Sequence, residues 1–160
     1  MPRARRALRA SHLNHGRERG TGAGHRPFLA YAFILAGRTL DRLVPLATEL
    51  HATAEQVEAS DFAAVEALLA GARDRHGRVA GVVNAVGSIL LKPAHLTSEA
   101  DLAETLRLNV QTAFAAVRAA GRVMTEGGSV LLFSSAASEA GLPNHEAIAA
   151  AKGAVAGLVR

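Results

Sequence analysis

Apolar positions fall along this chain in short runs separated by longer amphipathic stretches, the alternation from which α/β domains are built. Four runs are of strand length: Phe28–Ala36, a weaker one at Gln56–Ala59, Val79–Val83 and Val130–Phe133. Thr39-Leu40-Asp41 opens a helix toward Leu50, with Pro45 drawn into its first turn because proline lacks the amide an inner turn uses. A second helix over residues 62–75 follows Asp61, whose carboxylate suits the free amides of a helix start. Ser98-x-x-Asp101 is a capping-box opening for a long helix reaching Met124. The last helix begins behind Pro143, near Asn144, and runs to Arg160. Parallel strands need long crossovers of this kind, so the pattern predicts a mostly parallel sheet between helical layers.

The densest chemistry lies in Ser129–Lys152. Four apolar residues, Val130 to Phe133, lead into Ser134 and Ser135, which places both serines at the carboxyl end of a buried strand, where open α/β sheets bind ligands. Ser134 precedes Ser135 and faces the other side of the strand, which suits packing. Lys152 comes four residues after Ile148, on the same helix face, and His145 comes three before it. Imidazole titrates near neutral pH, so His145 is a candidate proton donor beside a solvated alternative.

Composition narrows the class. Hydrophobic residues make up 49% of the 160 positions and aromatics 4%, which suits helices packed closely on a sheet. There is no cysteine, so disulfide scaffolds and thiolate metal sites are excluded, no metal is expected, and the cytoplasm is the expected compartment. No run of eighteen apolar residues exists to span a membrane as a helix. The net charge of +4 divides unevenly. Residues 1–26 hold seven arginines against Glu18 (+6), and residues 27–160 hold eleven Lys/Arg against thirteen Asp/Glu (−2). The basic character therefore belongs to an N-terminal segment, 1–26, expected to be disordered. A targeting peptide, a basic arm for nucleic acid, a shifted reading frame and a plain solvated tail are its alternative readings. Residues 27–160 are mildly acidic, and nucleic acid is not the expected partner.

Several pieces, in order and spacing, resemble the short-chain dehydrogenase/reductase family over about residues 37–160. They are Leu35–Arg38 (LAGR), Ser60–Phe62 (SDF), Val82–Gly87 (VVNAVG), Asn109 in LRLNV, Ser135 in FSSAAS and Lys152 in AAAKGAV. The resemblance implies a Rossmann-like three-layer sandwich, incomplete at both ends, and NADP(H)-dependent oxidoreduction of a small carbonyl or alcohol substrate. It implies that Ser135 holds the carbonyl oxygen, Asn109 a helix kink and a proton-relay water, and Lys152 the nicotinamide ribose. Asp61 and Phe62 would meet the adenine, and Asn84, Ala85 and Gly87 would lie against the adenosine side. Arg38, after the second strand of such folds, favours the 2′-phosphate of NADP(H) over NAD(H).

Two departures qualify this. The family's tyrosine, thirteen residues after the serine, is replaced here by Ile148, while Lys152 stays in register. Thr21-Gly22-Ala23-Gly24 resembles the family's phosphate turn, with Gly22 and Gly24 the candidate glycines. Seventeen steps from Thr21 to Arg38 are too few for turn, helix and strand. Cofactor binding is therefore expected to be weak or absent. The alternative is a catalytically silent fragment or pairing module, self-associating through the 98–124 and 144–160 helices.

Overall fold

A computed structural model describes residues 31–160 of the chain; Gly22, Gly24 and the basic segment lie outside them. The elements run β1 (Ile34–Gly37), α1 (Leu40–Leu50), β2 (Thr53–Gln56), α2 (Phe62–His76), β3 (Gly81–Asn84), α3 (Glu99–Leu106), a π-turn (Arg107–Gln111), α4 (Thr112–Val123), β4 (Ser129–Leu132) and α5 (Glu146–Leu158). The strands form two parallel pairs. Ile34 sits opposite Thr53 in one, and Gly81 opposite Ser129 in the other.

The core lies where α2 and α4 meet above the second pair. Val65 and Leu69 from α2 pack with Ala115, Ala119, Ala120 and Val123 from α4, and Val82 and Val130 reach them from the strands. The four-residue step from Val65 to Leu69 and from Ala115 to Ala119 keeps each pair on one helix face. Alanine lets the two helix backbones approach, which is why so alanine-rich a chain can pack at all. On the opposite face Val83 and Leu131 remain 62% and 52% exposed. The run Val130–Phe133, read as a strand buried on both faces, is thus covered on one face by the described residues, because α2 and α4 lie on the same side.

Several boundaries differ from the sequence pattern; β3, for one, is Gly81–Asn84 rather than Val79–Val83. β2 begins at Thr53 rather than Gln56, since its register to β1 ends at Gln56 and Glu58 folds back onto Ser60. Pro45 lies in the interior of α1 rather than its first turn, and the second-turn amide it lacks is tolerated on an exposed helix. The long helix 98–124 is broken by the π-turn into α3 and α4. Finally, α5 starts at Glu146 instead of Asn144, because Asn144 adopts a left-handed φ of 62° and His145 becomes the capping position.

Two helix starts follow the sequence pattern. Asp61 Oδ1 accepts from the amides of Ala63 and Ala64 at 2.8 and 3.1 Å. At α3, Ser98 Oγ accepts from the Asp101 amide at 3.1 Å, and the Asp101 carboxylate accepts from the Ser98 amide at 3.1 Å and from Lys92 Nζ at 2.6 Å. The Lys92 bond, then the Ser98 bonds, hold the Asp101 carboxyl at about 2 against its ordinary 3.8. A carboxyl depressed by folding adds stability above its unfolded pKa and loses it as pH falls through the folded one, here from 3.8 toward 2. Asp101→Asn should therefore lower the Tm at neutral pH and flatten the acid side of the Tm–pH curve in that window. An acid limb as steep as the parent's would contradict the assignment.

Candidate functional site

The π-turn organises the site. Asn109, 1% exposed, sits in its middle. Its Nδ2 donates to the Thr105 carbonyl at 3.0 Å, which in a regular α-helix would accept from the Asn109 amide. The wider turn frees that carbonyl for the side chain, and this is why a residue disfavoured inside helices belongs here. Across the gap to the loop after β3, Asn109 Nδ2 also donates to the Ser88 carbonyl and hydroxyl at 3.3 and 3.2 Å, and the Ser88 amide donates back to Oδ1 at 3.4 Å.

Gly87 marks the meeting point. A Cβ built there would lie 2.8 Å from Asn109 Oδ1 and 3.6 Å from Lys152 Nζ. Glycine is required for space, because Asn109 approaches its backbone where a side chain would stand. Lys152 Nζ donates to the Phe133 carbonyl at the end of β4, at 2.8 Å. Partial burial pushes its pKa below the ordinary lysine value. Ser134, exposed, ties α5 to the same strand end by donating to the Lys152 carbonyl at 2.9 Å. Ser135 Oγ accepts from the Ala137 amide at 3.2 Å, capping a 3₁₀ turn at Ala136–Ser138.

Where the family has its tyrosine, the site holds Ile148. Ile148 is 3% exposed, an alkyl group that can neither donate nor relay a proton. His145 Nδ1 donates to the Pro143 carbonyl at 2.7 Å, three residues away from that position.

A second group of polar side chains lies on the other side of the π-turn, at the loop between β2 and α2. Arg107 donates to Ser60 Oγ at 2.7 Å, to Glu104 at 2.7 and 2.8 Å, and pairs with Glu58 at 3.7 Å. Gln111 donates to the Ser60 carbonyl at 2.7 Å. Ser60, itself 7% exposed, donates to Glu58 through both amide and hydroxyl. These Ser60 bonds are the main reason that the Glu58 carboxyl is held below its ordinary range, with Arg107 and Arg38 adding attraction. Arg38 follows β1, and its carbonyl accepts from Gln56 Nε2 at 2.9 Å.

Some predicted site residues have other duties. The Phe62 ring stacks on Phe114 at 5.9 Å with Arg118 over it at 5.6 Å, packing α2 on α4. Asn84, expected to tie neighbouring strands, instead donates to Thr112 Oγ1 at 3.3 Å and accepts from the Val86 amide at 3.3 Å, joining β3 to α4. Ala85 is exposed beside it. Asp61 caps α2 through Oδ1 alone. Sequence reasoning missed Ser60, Ser88, Arg107 and Gln111. The four-residue step from Arg107 to Gln111 was visible; nothing in the sequence showed what the pair would grasp.

Parallel strands with crossover helices, and a glycine approached by a buried asparagine and a lysine beyond the strand ends, define a Rossmann-like α/β protein. A family profile described as Enoyl-(Acyl carrier protein) reductase matches residues 29–160, and the chain belongs to the short-chain dehydrogenase/reductase family. It is 36% identical over 118 residues to the inactive 2-(S)-hydroxypropyl-CoM dehydrogenase 2 of Xanthobacter autotrophicus, covering 71% of this chain and 51% of that protein. With the enoyl-[acyl-carrier-protein] reductase [NADH] 1 of Rhizobium meliloti it shares 31% identity over 124 residues, or 74% of this chain and 46% of that one. The alcohol dehydrogenase of the archaeon Thermococcus sibiricus, solved with 5-hydroxy-NADP, superposes with a TM-score of 0.76 at 26% identity, covering 81% of this chain and 58% of that one. The chain thus spans about half the length of the curated relatives it matches. The oxidoreductase family and the Rossmann-like α/β class stand as the sequence implied. No described helix is long and apolar enough to cross a membrane.

Proposed function

We propose that this chain binds a nicotinamide dinucleotide, NADP(H) in preference to NAD(H), at a site shaped for oxidoreduction of a small carbonyl or alcohol compound, and that it is catalytically silent by itself. The observation carrying this is the convergence of Asn109 and Lys152 on Gly87, with a buried isoleucine where the family has its phenol. The exposed backbone at Gly87 carries no side chain to bar a flat ring from lying against it, and Lys152 would hold the adjoining ribose. Bound there, the nicotinamide supplies or accepts hydride. Ser135 retains its hydroxyl proton for a carbonyl oxygen. The missing acid normally contributes about 10²–10⁴-fold, and the inactive relative suits a site of this kind.

NADP(H) preference rests on Arg38, which forms no ion pair with a described residue. Titration followed by nucleotide fluorescence is expected to give an NADPH constant near ~1 mM, about −4 kcal/mol, weak because Thr21–Gly24 lacks room for a full phosphate-binding unit. NADH should bind about tenfold more weakly, and Arg38→Ala should remove the difference. Equal parental affinities, or no binding of either nucleotide, would overturn this reading.

A second reading is pairing of two chains through residues 98–124 and 144–160, since Leu102 and Leu106 on α3 stay 40% and 38% exposed. Sedimentation of the same samples separates the two: a monomer that binds NADPH leaves only the first.

A further inference from the structure

The π-turn reaches in two directions. Asn109 holds the loop after β3, while Arg107 and Gln111, two residues to either side, hold the loop before α2. Both partners on the second loop converge on the buried Ser60, immediately before Asp61. Arg107 also engages two carboxylates, Glu104 and Glu58. Arg38 belongs to the same neighbourhood: its carbonyl accepts from Gln56, two residues before Glu58, at 2.9 Å, and its charge adds a minor attraction on both carboxylates. Without Arg107, Glu58 and Glu104 would turn their charge on Arg38. They would then occupy it as counter-ions and repel any phosphate brought to it.

We propose that Arg107 is a specificity-determining positioning residue: by holding Glu58 and Glu104 and anchoring Ser60, it leaves the Arg38 guanidinium available for a phosphate on the adenosine ribose, while Gln111 fixes the loop that carries Asp61. This rests on the dinucleotide reading above and adds how its preference is set. Arg107 touches no part of the nucleotide in this scheme; it acts through Glu58, Glu104 and Ser60. The geometry favours a forked cation over a point charge, because one guanidinium donates to Glu104 through two nitrogens and to Ser60 through a third.

The test uses the whole chain labelled with ¹⁵N and titrated with adenosine 2′,5′-bisphosphate and with adenosine 5′-monophosphate, reading the amide shifts of residues 58–64. The parent should prefer the bisphosphate. Arg107→Ala is expected to weaken the bisphosphate about tenfold and the monophosphate little, collapsing the ratio. Arg107→Lys, which keeps charge but not the fork, should recover part of it. Gln111→Met is close in length and uncharged but cannot donate to the Ser60 carbonyl, so it should weaken both ligands alike and leave the ratio intact. A simple loss of folding in Arg107→Ala would lower both affinities together, and Arg107→Lys then decides. An unchanged ratio in both Arg107 variants overturns the proposal while leaving the dinucleotide reading in place. A parent that binds neither nucleotide fails that reading first and this proposal with it.

Discussion

Asn109→Leu is expected to destabilise the chain by about 2–4 kcal/mol, a large fraction of the stability of a domain this size. Leucine keeps the branch point of asparagine but is the larger side chain, so the loss comes from unpaired polar groups and tight packing and not from a cavity. It removes three donations from Nδ2 and the acceptance from the Ser88 amide. Thr105, 3% exposed, would lose the side-chain donor to its carbonyl, and weakening the pairing of such a buried group costs more than the bond was worth. Asn109→Asp makes a useful second variant. It preserves the acceptor for Ser88 but places a carboxyl where there is almost no solvent, so its stability should improve as pH falls and the group becomes neutral. Denaturant unfolding reads both: a midpoint shift at constant m for leucine, and a pH-dependent shift for aspartate. A loss below about 1 kcal/mol for leucine would mean that the π-turn relaxes to an ordinary helix and satisfies those groups by itself.

Ile148→Tyr should leave the chain silent in NADPH oxidation with simple ketones, although it restores the residue type on which the family's chemistry turns. Ile148 is 3% exposed, and a larger ring with a hydroxyl in so tight a place costs about 1–3 kcal/mol in packing and desolvation. Lys152, which would tune such a phenol, already donates to the Phe133 carbonyl. His145→Ala belongs in the same assay and should be equally silent, since His145 Nδ1 is committed to Pro143. Turnover gained with Ile148→Tyr would show that α5 can yield and that one residue separates this chain from activity. Turnover in the parent that disappears in His145→Ala would make the histidine the proton donor.

The helices were legible because their signals are local. Asp61 and Ser98 cap where they stand in the sequence, since a capping side chain reaches only two or three amides ahead. Strand limits were less so. The pattern points to Gln56–Ala59 for β2, whereas pairing with β1 runs from Thr53 and ends at Gln56. Nor did periodicity show that the helix over 98–124 contains a wider turn, which depends on Asn109 meeting Ser88 from twenty-one residues away. For the site, order and spacing brought Asn109, Ser135 and Lys152 into one family pattern, and the fold then drew Asn109 and Lys152 to Gly87.

By itself the sequence determined the family, the alternation of strand and helix, the register of Lys152 and the absence of the phenol at position 148. Each of these is a matter of residue type and interval along the chain, and no contact is needed to read it. The tertiary structure alone decided that Gly87 must be a glycine, that the Phe62 ring packs against Phe114 and Arg118, and that Arg107 and Gln111 grip Ser60. Those facts join residues far apart in sequence, as with the forty-seven positions between Ser60 and Arg107. No local propensity encodes such a meeting: it exists only once α2 and α4 have packed and carried their ends together.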